Sequence, residues 1–421
     1  MEGMTAIDER LGRGEATRTS VAPLTLSATV LATVVFVTAI APLATDMYVP
    51  AFPLVGHDLD SSATQVQLTL TTFFVGMALG QLLGGPFSDR TGRRKPLLAA
   101  LVVLAISSML CAFSPSIAGM MLARLLQGFS GGWAMVIARA IVVDLSSGPR
   151  MVRAMNVVAG VAGIAPVVGP LLGAAVLQFS HWRVSFWVVA ALAAAMLVAV
   201  GVGVPESLTL DRRHGGGLGR LIGATGQVLQ ARVFTGHLVV FAFSMGTTFA
   251  YVATSAFVLQ SMNGLSPVEY SIDFAANAAG MTAAALIAAR LAGRVATRVI
   301  VVVGLVATGG AGLLLLVAAV WFAMPLWAAI VGFFVVMTAQ GLVGPNAGAL
   351  ASAAVPDHPG TGSALLGFLQ WCMAGLIAPL AGLGGEQTAV PMAVLMIAGA
   401  AASMMGLLVL ARPAAFPHGQ S

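Results

Sequence analysis

The sequence predicts an all-α integral membrane protein, with twelve transmembrane helices in two six-helix bundles. Three observations predict it. Hydrophobic residues make up 58% of the 421 and charged residues only 8%. An ordinary soluble domain carries about 25% charged residues, so this chain cannot cover a water-facing surface. Twelve largely apolar runs recur along it, each near the roughly 20 residues that a helix needs to cross the hydrocarbon core. The longest polar interruption, Pro205 to Arg232, falls between the sixth and seventh runs and leaves halves of similar length, as expected of a fold built from repeated bundles.

The runs cover residues 26–50, 66–88, 96–114, 117–142, 155–179, 183–204, 235–260, 271–292, 299–321, 324–350, 361–385 and 388–411. Around them lie an N-terminal tail (1–25), a first bundle (26–204), a linker (205–234), a second bundle (235–411) and a C-terminal tail (412–421). The first tail mixes Glu2, Asp8, Glu9 and Glu15 with Arg10, Arg13 and Arg18. That is unlike the positive n-region of a secretory signal, so the tail is expected to be retained.

Charge assigns sidedness, because Lys and Arg near span ends are kept on the cytoplasmic side. With both termini inside, the tails contribute Arg10, Arg13, Arg18 and Arg412. The cytoplasmic connections contribute Arg90, Arg93, Arg94, Lys95, Arg150, Arg153, Arg212, Arg213, Arg220, Arg232, Arg290, Arg294 and Arg298, bringing the total to 17 of the 20 bases. Arg124 and Arg139 lie within the fourth run, and Arg183 alone falls outside. The net charge of +5 is therefore topological, and no nucleic-acid partner is expected. Cys111 and Cys372 both sit in apolar runs, and the six histidines are scattered. Neither a disulfide framework nor a metal site follows from that spacing.

The densest basic connection is Gly84-Gly-Pro-Phe-Ser-Asp-Arg-Thr-Gly-Arg-Arg-Lys95. A plain topogenic loop explains its arginines but not the spacing of Gly85, Asp89 and Gly92. Asp89 ends the second run and could bond the exposed amides of a helix N-terminus, that of the eleventh run in the other half. Arg93 could reach Asp144 at the inner end of the fourth run. Both contacts would hold one half against the other, making Gly85, Asp89, Arg90, Gly92, Arg93 and Asp144 a cytoplasmic gate.

Asp46 lies toward the outer half of the first run, in Ala44-Thr-Asp-Met-Tyr-Val-Pro50. Ionised groups at membrane depth are costly and mark ion or substrate pathways. A carboxyl there can carry a proton or pair with a cationic or hydrogen-bonding substrate; the bland reading is a solvated interfacial Asp. Tyr48 and Pro50 could shape a nearby cavity. Arg124, about one-third into the fourth run, needs an acceptor and could find Asp46. Gln127 and Gly128 share its helical face. The bland reading of Arg124 is a structural arginine bonded to carbonyls. In the fifth run Gly169-Pro-Leu-Leu-Gly173 combines GxxxG spacing, which lets helices approach closely, with Pro170, which bends a helix. The second half offers little intramembrane charge. Asp273 reads as a solvated residue near an outer span end, and Asn277, Gln340, Asn346 and Gln370 as polar cavity contacts.

Together these residues resemble the major facilitator superfamily, and within it the twelve-span drug:proton antiporters. Gly85-x-x-x-Asp89-Arg-x-Gly92-Arg-Arg matches the loop signature between spans two and three. Arg124 to Gly128 resembles the fourth-span RxxQG motif, and Gly169-Pro-x-x-Gly173 the fifth-span antiporter motif. Thr45-Asp-Met-Tyr-Val-Pro-Ala-Phe-Pro53 is similar to the first-span signature of the bicyclomycin/chloramphenicol-resistance (Bcr/CflA) subfamily. His181-Trp-Arg-Val-Ser-Phe186, Phe257-Val-Leu-Gln260 with Gly264-Leu-Ser-Pro267, and Gly362-Ser-Ala-Leu-Leu-Gly-Phe-Leu-Gln370 extend the likeness along nearly the whole chain. The fifth-span motif ends Gly173-Ala174 where a second glycine is usual, and Arg290-Leu-Ala-Gly-Arg294 lacks the acidic residue of a second gate.

The resemblance implies a transporter and not an enzyme: a monomer of the bacterial inner membrane, exporting small hydrophobic drug-like compounds, phenicols or bicyclomycin-like molecules among them, against inward proton flow. It implies no cofactor, the energy coming from the proton gradient, with lipid as the other partner. By motif, Asp46 is the proton and substrate site, Arg124 a coupling residue and Asp89 with Arg93 the gate. Export of an endogenous metabolite by the same mechanism is the alternative. A polytopic enzyme or a receptor is more remote, since no convergent His, Asp or Ser set accompanies Asp46 and Arg124.

Overall fold

In the computed structural model, residues 26–209, 213, 225–356 and 359–411 are described. Among them are twelve helices of spanning length: α1 Ala28–Asp58, α2 Ala63–Thr91, α3 Arg94–Phe113, α4 Ile117–Leu145, α5 Gly148–Phe179, α6 Arg183–Gly203, α7 Arg232–Met262, α8 Pro267–Leu291, α9 Thr297–Trp321, α10 Leu326–Ala353, α11 Thr361–Ala381 and α12 Val390–Leu410. The expected all-α architecture is borne out. The tail arginines, Arg212 and Arg220 lie outside the described residues.

Local signals place the helix starts. Ser27 accepts from the Val30 amide, and Ser116 from the Gly119 amide. Ser62 with Gln65, and Ser266 with Glu269, form capping boxes at the starts of α2 and α8, satisfying amides that a helix leaves unpaired. α1 extends beyond the predicted end at residue 50. Its first helical stretch closes at Asp46, a short turn follows over Val49–Ala51, and a second helix runs Phe52–Asp58. Pro50 supplies no amide to the ladder, so the helix breaks and restarts. Asp46 consequently lies within the span and not at its outer mouth.

The tightest packing joins α2 to α4. A Cβ at Gly76 would lie 2.2 Å from the Leu125 carbonyl oxygen, at Gly80 2.1 Å from that of Phe129, at Gly128 2.0 Å from that of Phe73 and at Gly132 2.4 Å from that of Met77. Small residues every fourth position let two backbones touch. The second half repeats the device between α8 and α10, where a Cβ at Gly341 would lie 2.1 Å from the Met281 carbonyl oxygen.

The halves meet mainly through α2 with α11 and α5 with α8. Their contacts concentrate toward the end opposite the Gly85–Lys95 loop, called here the far end. Gln67 Nε2 donates to the Ala253 carbonyl at 3.0 Å, Thr64 Oγ1 to the Gly382 carbonyl at 2.9 Å and Gln260 Nε2 to the Pro50 carbonyl at 3.1 Å. Phe52 meets Phe257, and Phe74 meets Phe249 and Trp371, with ring centroids 4.7–5.8 Å apart. Toward the loop end, Gly160 and Gly163 of α5 face open space. The far end is sealed by these contacts, and at the loop end α5 is left uncovered at Gly160 and Gly163.

Candidate functional site

The break in α1 builds the site. A helix ending inside the bundle leaves its last carbonyls without amide partners, and a cation is favoured there. Arg124, wholly buried, supplies it: Nη1 donates to the Ala44 carbonyl at 3.1 Å and to Gln127 Oε1 at 2.7 Å. Gln127 Nε2 in turn donates to Ser108 Oγ at 2.8 Å. Nε and Nη2 of Arg124 have no hydrogen-bond partner. The guanidinium instead lies over aromatic rings, 4.2 Å from the Phe73 centroid, 5.0 Å from Tyr48 and 5.8 Å from Phe186. Desolvated cation–π contacts of this kind are worth about 2 kcal/mol.

Asp46 is 6% exposed. Among the described residues no hydrogen bond or ion pair reaches its carboxyl, so the anticipated Asp46–Arg124 pair is not made. Arg124 takes the helix-end carbonyl two residues earlier, which is the bland reading of an arginine bonded to a carbonyl. Asp46 lies against α5: a Cβ at Gly169 would stand 2.7 Å from the Asp46 Cβ, and one at Gly173 2.3 Å from the Met47 carbonyl oxygen. The two glycines of the fifth-span motif are thus the surface on which the broken stretch of α1 rests, with Pro170 between them.

Tyr48 is buried, its hydroxyl 3.0 Å from Thr69 Oγ1. Tyr48 and Gln127 therefore belong to the packed network around Arg124 and are closed to solvent in this conformation. Gln340 is likewise buried, accepting from Ser244 Oγ at 2.5 Å and donating to Thr308 Oγ1 at 2.9 Å. Asn346, half-buried, donates to the Leu342 carbonyl of its own helix. Gln370 is half-buried on α11. Asn277 is buried, and its Nδ2 donates to the Tyr251 hydroxyl at 2.9 Å and to Asp273 Oδ2 at 2.8 Å. Asp273 is not the freely solvated residue expected at a helix end. α8 starts at Pro267 and not near 271, placing Asp273 more than a turn inside it.

At the loop end Arg93 carries the chemistry. Its Nη1 lies 2.6 Å from Asp89 and donates to Ser88 Oγ at 2.7 Å, and its Nε donates to Asp144 Oδ2 at 2.9 Å. Arg93, Asp89 and Asp144 all belong to the first half, so these contacts cannot by themselves hold the halves together. Asp89 pairs with Arg93 in this conformation, and among the described residues it makes no contact with α11. Gly92 has a φ of +97°, the left-handed region where a side chain is strained. It sits beneath the Glu206 carboxylate. Arg90 closes the last turn of α2.

Sequence reasoning missed Glu206. Its two oxygens accept from the amides of Arg93 at 2.7 Å and Arg94 at 3.2 Å, capping α3 from the start of the linker, while Ser207 Oγ donates to Asp144 Oδ2 at 3.0 Å. The signal was Pro205-Glu206-Ser207 directly after an apolar run. It also missed Ser108, Phe73 and Phe186, which look like ordinary packing residues until α4 is drawn against α2.

The sequence profile of the Major Facilitator Superfamily matches residues 34–379. The chain belongs to that superfamily. It is 34% identical over 361 residues to the Uncharacterized MFS-type transporter YdgK of Bacillus subtilis (strain 168), covering 84% of this chain and 88% of that protein. It is 27% identical over 354 residues to the Bicyclomycin resistance protein homolog of Haemophilus influenzae, covering 83% and 88%. With Multidrug resistance protein MdtL of Escherichia coli O45:K1 it shares 26% identity over 242 residues, 56% of this chain and 60% of MdtL. The fold matches a bacterial homologue of the human lysosomal transporter Spinster, solved inward-facing and unoccupied, with TM-score 0.73 and 15% identity over 90% of this chain and 96% of that one. A D-xylose–proton symporter matches with TM-score 0.72 and 14% identity over 91% and 97%. As a major facilitator protein the chain is a multi-pass transporter, not an enzyme, and the resemblance to the Bcr/CflA branch is borne out.

Proposed function

We propose that this transporter exports hydrophobic drug-like compounds from the bacterial cytoplasm in exchange for protons, as a monomer in the inner membrane with both termini cytoplasmic. The observation that carries the reading is Asp46: a buried carboxyl with no bonded partner among the described residues, at the break of α1, resting on the Gly/Pro face of α5. An unpaired carboxyl in such a place is costly to keep unless it exchanges a proton or meets a ligand. Arg124 holds the broken stretch of α1 in place through the Ala44 carbonyl, so a change at Asp46 is felt by the α4 network and by α5 together. The basic loops favour a cytoplasmic position for the loop end, which supports reading this conformation as inward-facing, ready to take a compound from inside. The names of the Haemophilus and Escherichia relatives support a drug-like cargo.

The test is expression in a pump-deficient host with resistance measured across an antibiotic panel that includes phenicols and bicyclomycin, alongside substrate-induced proton release from wild-type and Asp46→Asn protein. Resistance in the wild type, with proton release lost in the variant, is expected. Wild-type-like release and export in Asp46→Asn would remove Asp46 as the coupling site. Resistance to no compound would point instead to an endogenous metabolite.

A further inference from the structure

The second half carries a carboxyl that the reading above does not use. Glu269, Asp273 and Asn277 stand at i, i+4 and i+8 and therefore share one face of α8. At the far end this face borders a crevice of about 480 Å³ between α5 and α8, lined by Gln178, Ser266 and Glu269 among others. Glu269 is exposed at its rim, Asp273 is half-buried one turn deeper and Asn277 is 1% exposed a turn deeper still. Asn277 holds the row to α7: its Nδ2 donates both to Asp273 Oδ2 at 2.8 Å and to the Tyr251 hydroxyl at 2.9 Å. Its Oδ1 is buried without a partner, an acceptor left open beside a carboxyl. Tyr270, wholly buried on α8 and 3.1 Å from Ser255 Oγ, lies within electrostatic reach of both Asp273 and Asp46.

We propose that Asp273 is a second proton-binding carboxyl, loaded from the far-end crevice and standing in the second half opposite Asp46 in the first. The surroundings leave a proton as the simplest neutralising partner. On its own helix the ionisable neighbours are Glu269 and Tyr270, and on α7 Tyr251; Asp46 of α1 lies on the far side of Tyr270. α10, packed along α8, has no charged residue, and the far half of α5 has none. No cation faces Asp273 among the described residues. A carboxylate that no cation faces is costly to keep ionised in a closed apolar junction, so closing the far end over Asp273 calls for a bound proton. When the far end opens, that proton is exchanged with external water through the crevice.

The proposal rests on proton coupling but is tested without any substrate. Purified wild-type protein and variants, in weakly buffered detergent, are acidified from about pH 8 to about pH 5, a range that brackets perturbed carboxyls, and protons bound per molecule are counted with an indicator dye. Asp273→Asn is expected to bind one proton fewer than wild type, Asp273→Glu the same number, and Asp46→Asn with Asp273→Asn two fewer. Equal uptake by wild type and Asp273→Asn overturns the proposal, whatever becomes of the export reading. A second measurement needs no variant. Dicyclohexylcarbodiimide adds to protonated carboxyls in apolar surroundings, so peptide mass spectrometry of the wild type should find the Asp273 peptide modified, less so as pH rises. No modification at Asp273 at any pH tested would equally overturn it.

Discussion

Gly169 of α5 rests on Asp46 of α1 so closely that a Cβ on the glycine would stand 2.7 Å from the Cβ of the aspartate. No rotamer change relieves that contact, because both atoms are fixed to backbone. Gly169→Ala should therefore displace either α5 or the break in α1. Overpacking of this kind costs about 1–3 kcal/mol. Export should fall at least about tenfold, equivalent to about 1.4 kcal/mol, while the protein still reaches the membrane. Gly173→Ala, aimed at the Met47 carbonyl oxygen at 2.3 Å, should be the more damaging, which paired transport and thermal-melting measurements would rank.

Arg124 is held by shape as much as by charge. A lysine keeps the charge but cannot place a planar group over Phe73 and Tyr48 while reaching the Ala44 carbonyl and Gln127. Arg124→Lys is expected to lose most export, with activity down about tenfold or more. Gln127→Leu should show a milder loss, because it removes one acceptor but leaves the rings and the carbonyl. Initial rates in everted vesicles, normalised to protein amount, decide the order.

The loop-end arginine predicts a contrast between its two acidic partners. The Arg93–Asp144 pair is largely buried, with side chains 8% and 14% exposed, whereas Asp89 is 45% exposed. Stranding a buried partner costs up to about 3–5 kcal/mol, and an exposed pair is worth about 1 kcal/mol or less. Asp144→Asn should lower the melting temperature in detergent clearly more than Asp89→Asn. If Asp89 bonds the α11 end in another conformation, its neutral variant will lose transport out of proportion to that small loss of stability.

The closed far end predicts a cross-link. With Cys111 and Cys372 replaced, cysteines at Thr64 and at the exposed Leu383, next to the Gly382 carbonyl that Thr64 Oγ1 meets at 2.9 Å, should join through a short bifunctional thiol reagent. Joining them should arrest transport, and a reductant-cleavable reagent should restore it. Continued transport by fully cross-linked protein would mean that the far end need not open.

What was legible in the sequence was whatever depends on residue type and spacing. The spans follow from apolar length, and Asp46 stands out because a lone carboxyl in such a run has few idle explanations. The loop signature located Arg93 and even its partner Asp144. The break in α1 was not legible, because Pro50 can bend a helix as readily as end one, and so the orphan Ala44 carbonyl that Arg124 serves was hidden. Asp273 was misplaced for a related reason. The capping box of Ser266 and Glu269 starts α8 earlier than the apolar pattern does, carrying the aspartate inward. The glycine stripes of α2 and α4 carry the GxxxG spacing already noted in α5, yet in a glycine-rich membrane chain that spacing does not say which pairs will meet.

The far-end seal described above is made of two side-chain amides and a hydroxyl on carbonyls, and of ring on ring, and among the described residues no ion pair joins the two halves. Opening such a seal separates no opposite charges. The transition then meets little ionic barrier and little screening, so the turnover rate should be nearly independent of ionic strength. Its sensitivity should lie instead with the thickness and fluidity of the surrounding lipid, against which the two bundles must rock.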